Sequence, residues 1–183
     1  GNTVGRTAEG KDIYTPVFSL GLFARIVNPE TKLTLRTTGT SFLVEAWASK
    51  NCNVRLLLDG VDVRSKSNAD SLQYLVNALG AGRHSLIFHA TDGTLNASDT
   101  QYFVVNPSVK NGILDASYHQ GVNYVANDKV RLVLFAPNKS FIYAIGDFSN
   151  WEPDTAYFMQ YSPSQSLWWV DIPNLTPGKE AGF

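Results

Sequence analysis

The chain of 183 residues has one cysteine, almost no excess charge and no long apolar run, and each shortage excludes a class of protein. Cys52 is the only cysteine, so the chain has no internal disulfide and no cysteine-based zinc site. The formal net charge is −1, which leaves no basic stripe to neutralise phosphates and argues against a nucleic acid partner. No run approaches the roughly 20 apolar residues that span a bilayer, so we expect no membrane span.

The common signatures of catalysis and of metal binding are also missing. The three histidines show no metal-ligand spacing, and neither a serine nucleophile elbow nor a phosphate-binding loop occurs. Hydrolysis of a glycosidic bond requires two carboxylates about 5–10 Å apart in a cleft. The acidic residues Asp147, Glu152 and Asp154 surround one turn, where short acidic side chains usually bond to nearby backbone. We therefore expect no catalytic residue, no metal and no cofactor in this chain.

Helical periodicity is absent, and the hydrophobic residues, 44% of the chain, occur in short runs typical of β-strands. Residues 1–11 are polar without periodicity and are interpreted as a flexible leader. Asp59-Gly60, between two such runs, predicts a two-residue hairpin turn. The strands predicted within residues 12–106 are Ile13–Leu20, Leu33–Thr37, Phe42–Ala48, Val54–Leu58, Val61–Ser65, Leu72–Val76, His84–Ala90 and Gln101–Val105.

The spacing of these strands favours an antiparallel sandwich over residues 12–106. Leu79–Gly93 followed by Ser98–Val105 resembles the closing strands of bacterial immunoglobulin-like or fibronectin-type modules. Turn-forming and polar residues over 107–116 are typical of a linker. Residues 117–183 form a second module, for which the predicted strands are Lys129–Phe135, Phe141–Ile145, Tyr157–Tyr161 and Leu167–Ile172. The sequence thus predicts an all-β chain of two consecutive immunoglobulin-like β-sandwich modules.

The second module has fewer strands than the six or seven of a complete sandwich. Its last run, Glu180–Phe183, stops where another strand is expected, so we expect the module to be truncated at its C-terminus. An unpaired sheet edge is a template for strand addition. We therefore expect edge-strand self-association with another copy of the chain.

The tryptophans of the second module are the strongest candidates for a binding site. Trp151 ends the tight turn Ile145–Trp151 beside a strand, where an aromatic ring either covers a core or stacks on a ligand such as a sugar. Trp168 and Trp169 must face opposite sides of one strand. We expect Trp168 in the core and Trp169 in either a sugar platform or an interdomain contact. Phe141, Tyr143 and Ile145 share one face of their predicted strand, and we expect them to pack in the core.

Four motifs occur in order in this module, namely Leu132–Pro137, Gly146–Trp151, Leu167–Ile172 and Leu175–Gly178. Together they resemble the family 48 carbohydrate-binding module, over roughly residues 117–183. The resemblance implies an early-set β-sandwich of the kind that precedes the catalytic barrel in family 13 glycoside hydrolases. It also implies that Trp151, which closes the Gly-x-Phe-x-x-Trp motif after Asn150, stacks on a glucose ring. Gly182 stands where that family has a basic residue.

These observations predict a non-catalytic N-terminal accessory region of an α-glucan-active glycoside hydrolase, with the catalytic domain missing from this chain. The expected partner is a starch- or glycogen-like α-glucan, and the candidate carbohydrate-binding residues are Trp151, Trp169 and Asn150. The parent is expected to be extracellular, cell-surface or periplasmic in a bacterium. The alternatives are structural spacer modules without sugar binding, which predicts a buried Trp151 in the parent, and a surface module that binds another protein.

Overall fold

The chain folds into β-strands and two single-turn 3-10 helices in a computed structural model that describes residues 3–6, 12–15, 21–30 and 33–183, the first two ranges as backbone alone. No helix among these residues has the length and apolar character needed to cross a membrane. The all-β class is confirmed. The strands are β1 (Thr3–Arg6), β2 (Asp12–Thr15), β3 (Ala24–Asn28), β4 (Leu33–Thr37), β5 (Phe42–Leu58), β6 (Val61–Val76), β7 (Gly82–Thr91), β8 (Asn96–Asn106), β9 (Gly121–Ala126), β10 (Lys129–Phe135), β11 (Gln160–Ser162) and β12 (Leu167–Ile172), and the 3-10 helices are Asp147–Ser149 and Thr155–Tyr157.

At the N-terminal end, β1 and β2 pair antiparallel. The predicted leader, residues 1–11, therefore includes one paired strand, and its other residues lie outside the described ones. The predicted strand Ile13–Leu20 overlaps β2 up to Thr15, and its remainder also lies outside the described residues.

The first module is organised around the long hairpin of β5 and β6. Leu58 pairs with Val61, and the two turn residues, Asp59 and Gly60, have φ values of 51° and 80°, which confirms the predicted turn. β3 pairs with the first half of β5 and β7 with its second half. The predicted strands Phe42–Ala48 and Val54–Leu58 are thus parts of one strand, β5. β6 pairs with both halves of β5, with register shifts between Trp47 and Val54.

The core of this module lies between the two halves of the folded sheet. β3 faces β8, where the buried Gln101 Nε2 donates to Ile26 O at 3.0 Å. Many alternate residues of β5 are buried, and Cys52 is among them. β4 pairs parallel with β8, which corrects the purely antiparallel prediction. Three strands, β5 to β7, lie between β4 and β8 in the chain, and they provide the long connection that a parallel pair requires.

The second module is a four-stranded sheet in the order β11-β12-β10-β9. β10 and β12 match the predicted strands and pair antiparallel. Trp168 is only 1% exposed and its Nε1 donates to Ala136 O at 2.9 Å, which confirms its place in the core.

Two strands, β3 of the first module and β9 of the second, were not predicted. Each buries a single side chain, Ile26 in β3 and the polar Asn123 in β9.

The segment Phe141–Ile145 departs from its prediction. It forms one β-bridge, between Tyr143 and Phe158, rather than a strand. The buried Ala144 and the partly buried Ile142 pack in the core. Phe141, Tyr143 and Ile145, which were expected there, lie on the other side, and Phe141 and Ile145 are exposed. The predicted strand Tyr157–Tyr161 also differs, because it begins in a 3-10 helix and pairs regularly with β12 only from Gln160.

Side-chain contacts join the two modules. Arg83 of β7 forms an ion pair with Glu152, and Tyr143 Oη donates to Oδ1 of the buried Asn106 at 3.0 Å. Burial, with a smaller effect of Asp154, raises the pKa of Tyr143 to about 12, so this hydroxyl stays a donor at neutral pH.

The predicted linker, residues 107–116, runs partly along β11. Tyr161 N donates to Lys110 O, and Gly112 N donates to Tyr161 O, each at 2.9 Å. Leu114, in the same segment, is buried. These contacts attach the segment to the second module.

Candidate functional site

The turn that carries Trp151 is built around the backbone of Gly146. The N–H groups of Ser149 and Trp151 both donate to Gly146 O at 2.9 Å, and Ser149 Oγ accepts from Gly146 N at 3.1 Å. A Cβ atom at Gly146 would overlap Gly182 O. Only glycine therefore fits at this position of the motif, since two chain segments approach closely there.

The backbone of the turn is strained at the two candidate residues. Asn150 and Trp151 have φ values of 52° and 60°. Asparagine tolerates this left-handed conformation, whereas for most side chains it costs about 1–2 kcal/mol. The Trp151 ring nevertheless remains 55% exposed. A bulky side chain held in a strained conformation without being buried is a feature of functional sites.

Asp147 fixes the orientation of the Trp151 ring. Its Oδ1 accepts from Trp151 Nε1 at 2.9 Å, and its Oδ2 accepts from Gly182 N at 2.8 Å. These two hydrogen bonds, first the one from Gly182 and then the one from Trp151, hold the pKa of Asp147 below its ordinary value of 3.8. Gly182 lies against the ring, because a Cβ atom there would be 3.1 Å from a carbon of Trp151. The ring is thus held in place at neutral pH while much of its surface stays open.

Trp169 lies on the outer face of β12, as predicted, beside Asp171. Asp171 accepts two hydrogen bonds from Arg131, at 2.6 Å and 3.0 Å. The Arg131 guanidinium lies 4.5 Å from the centroids of both the Trp169 and the Tyr118 rings. The hydrogen bond to Asp171 raises the pKa of Arg131 above its ordinary value, so the cation persists. One face of the Trp169 ring is therefore covered by a paired guanidinium.

Two clefts lie near these residues. The junction cleft has a volume of about 170 Å³ and is lined by residues of both modules, namely Arg83, Val104, Ser149, Asn150, Glu152, Pro153, Asp154 and Thr155. The Trp169 cleft has a volume of about 310 Å³, and Pro107, Lys110, Gln160, Trp169 and Asp171 are among its lining residues. Thr155 lines both clefts. Asn150 thus lines the junction cleft and Trp169 lines the other, whereas Trp151 follows Asn150 in the turn without lining either cleft.

The acidic residues near the turn have structural partners. Glu152 pairs with Arg83, and Asp154 Oδ1 accepts from Ala156 N at 2.8 Å at the start of the second 3-10 helix. Within the described part of the chain, no group of three His, Cys, Asp or Glu side chains could hold a metal ion. The chemistry that the arrangement supports is the binding of a ligand by an aromatic ring and neighbouring polar groups.

Sequence reasoning missed several residues of this region. Arg83 lies 69 residues before its partner Glu152, so no spacing could indicate the pair. Thr155 belongs to none of the sequence motifs, so its place in the lining of both clefts could not be predicted. The role of Asp147 could have been suspected, because its position four residues before Trp151 brings carboxylate and indole together on one turn.

Part of the chain is similar to curated 1,4-alpha-glucan branching enzymes of Clostridium perfringens. GlgB of strain ATCC 13124 is 36% identical over 66 residues, and GlgB 2 of strain 13 is 34% identical over 66 residues. Each match covers 34% of this chain and 10% of the relative. The chain therefore spans about a tenth of the length of the curated relatives it matches.

Solved structures give weaker similarities. Fibronectin(III)-like modules of Clostridium thermocellum CbhA are 19% identical with a TM-score of 0.39, over 57% of this chain and 60% of that chain. Bacteroides uniformis beta-glucuronidase 3 is 11% identical with a TM-score of 0.38, over 85% of this chain and 22% of that chain. These TM-scores are too low to support an inference. No protein-family model matches the chain.

Proposed function

We propose that this chain is a non-catalytic accessory region of an α-glucan-active glycoside hydrolase, and that its second module is a family 48 carbohydrate-binding module. In this proposal Trp151 stacks on a glucose ring, and the parent protein is exported by a bacterium. The partial similarity to glucan branching enzymes supports an α-glucan as the ligand. The proposal rests on one observation, the exposed Trp151, which has a positive φ and whose ring is oriented by a hydrogen bond to Asp147.

A side chain that is already ordered costs less free energy to bind. A flexible aromatic side chain loses conformational freedom when it stacks on a sugar. The hydrogen bond from Trp151 Nε1 to Asp147, together with the contact with Gly182, restricts the ring before any ligand arrives. Stacking then requires little further ordering. The spacer alternative predicts a Trp151 that is buried in the parent protein. In this chain Trp151 is exposed, as the sugar-binding function requires.

We expect Trp151→Ala to weaken binding to amylose and glycogen by about 30-fold, since truncation of an aromatic anchor typically costs about 2 kcal/mol or more. The measurement is affinity electrophoresis in gels that contain each polysaccharide. Retardation of the native chain that disappears in Trp151→Ala is the expected result.

Trp47→Ala is the matched control. Trp47 is also an exposed tryptophan, at 41%, but it lies on β5 of the first module, away from both clefts. Its loss should leave the retardation unchanged. A native chain that no α-glucan retards would contradict the proposed function, and equal losses in the two variants would contradict the role of Trp151.

A further inference from the structure

We propose that the sugar site continues from Trp151 along the boundary between the modules to Trp169, and that it therefore takes a glucan chain of several units. This inference rests on the proposed function and deepens it. The first module then contributes part of the site through Arg83, which a spacer would not do.

The junction cleft is the first extension of the site. Asn150 and Glu152, the chain neighbours of Trp151, line it together with Arg83 from the first module. These side chains offer both donors and acceptors, which is what the hydroxyl groups of a sugar require. At about 30 Å³ per water molecule, its volume of about 170 Å³ holds about six waters, which is suited to one sugar unit rather than to an oligosaccharide.

Thr155 connects this cleft to the second one. It lines the junction cleft together with Asn150, and it lines the Trp169 cleft together with Gln160. A chain in the junction cleft can therefore pass Thr155 and reach the Trp169 ring. Trp151 lies between Asn150 and Glu152 in the sequence, and in this proposal its ring takes the next sugar unit at the other end of the chain. Two aromatic rings with polar side chains between them match a polymer whose units each have an apolar face and a hydroxyl rim.

Two cations along this path already have acidic partners. Arg83 is paired with Glu152, and Arg131, which covers Trp169, is paired with Asp171. Lys110 lines the Trp169 cleft as a third cation. A neutral sugar can bond to the paired groups as they stand.

The indole nitrogen of Trp169 is a hydrogen-bond donor without an acceptor. Its Nε1 is buried and makes no hydrogen bond to any described residue. A buried donor without an acceptor costs about 1–3 kcal/mol. Gln160, its cross-strand neighbour, lines the same cleft. In this proposal the ring moves on binding, so that its Nε1 donates to a sugar hydroxyl group in the cleft.

The test is the dependence of affinity on oligosaccharide length, measured by calorimetry on the full chain with maltose, maltotriose and maltohexaose. For the native protein we expect Kd to fall by about tenfold from maltose to maltohexaose, because added units occupy added subsites of one path. Trp169→Phe should reduce that gain to less than about threefold. Arg83→Gln alters the subsite next to Trp151 and should weaken the binding of maltose and of maltohexaose alike. Trp151→Ala should weaken binding at every length.

Arg55→Gln is the matched control, because Arg55 forms an exposed ion pair with Asp62 on the hairpin, outside both clefts. It should keep the full gain with length. A second measurement needs no variant: the assigned indole N–H resonance of Trp169 in the native chain should shift with maltohexaose and stay unchanged with maltose.

The outcomes separate the two proposals. If no oligosaccharide binds, the proposed function fails. If maltose and maltohexaose bind equally well, or if the Trp169 resonance is unmoved by maltohexaose while Trp151→Ala abolishes binding, the proposed function stands and the extended site is overturned.

Discussion

Asp147 shows, among the single residues, how a carboxylate in the turn that carries Trp151 orients an aromatic ring. It accepts hydrogen bonds from Gly182 N and Trp151 Nε1, and both bonds favour its charged form. The pKa of Asp147 is thus lower in the folded state than in the unfolded state. Its contribution to stability is present above the ordinary value of 3.8 and is lost as the pH falls through the lowered folded-state pKa.

We therefore expect the indole N–H resonance of Trp151 to stay constant from pH 7 down to about pH 4 and to shift below it, when Asp147 takes up its proton. The measurement is an NMR titration of the native chain and of Asp147→Asn. The variant should show no titration of that resonance over the same range and should bind glucan more weakly at pH 7. A resonance that titrates identically in both proteins would mean that another group orients the ring.

At the scale of elements, the β5–β6 hairpin depends on a turn with two left-handed residues. Gly60 has a φ of 80°, and a Cβ atom placed there would meet no heavy atom within 4 Å. Any effect of an added methyl group at Gly60 is therefore conformational rather than steric. Asp59 stabilises the same turn from its side chain, because its Oδ1 accepts from Ser85 N at 2.8 Å and its Oδ2 lies 2.7 Å from His84 Nδ1.

Gly60→Ala should lower the free energy of unfolding by about 1–2 kcal/mol, the usual cost of a left-handed conformation for an L-residue. Gly80→Ala is its control, since Gly80 also has open space around its Cβ position but no positive φ. The control should be neutral or slightly stabilising because it reduces the entropy of the unfolded chain. Urea unfolding measures both, and equal effects would exclude the turn conformation as the cause.

At the scale of the whole molecule, the second module presents an open sheet edge. β9 pairs with β10 on one side and with none of the described strands on the other. Tyr124 on this strand is 87% exposed, and Val122 is partly exposed beside it. An edge of this kind, with apolar side chains and free backbone groups, can pair with a second chain.

We expect the protein to form dimers as its concentration rises and Tyr124→Lys to keep it monomeric, because a charged edge residue opposes strand pairing. Sedimentation velocity over a range of concentrations measures this. Ile113→Lys provides the comparison, since Ile113 is equally exposed, at 90%, but lies outside every described strand. A native chain that stays monomeric throughout would contradict the prediction of self-association.

The strands predicted with their observed bounds are runs rich in apolar and β-branched residues. β12 buries alternate residues, and β10 buries Val130, Leu132 and Val133. β4 was predicted with its observed bounds too, although it buries no residue. For Phe141–Ile145 the prediction was wrong about the buried face. Apolar residues occupy both faces of that segment, so its composition does not distinguish them, and contacts with residues 157–159 select Ile142 and Ala144.

The sequence by itself determined the all-β class, the Asp59-Gly60 turn and the opposite faces of Trp168 and Trp169, because these depend on the two-residue strand period and on local turn chemistry. Only the tertiary structure decided the approach of Gly182 to the Trp151 ring and the pairing of Arg83 with Glu152. Such contacts join residues far apart in the chain, and their geometry follows from the packing of whole layers rather than from any local spacing.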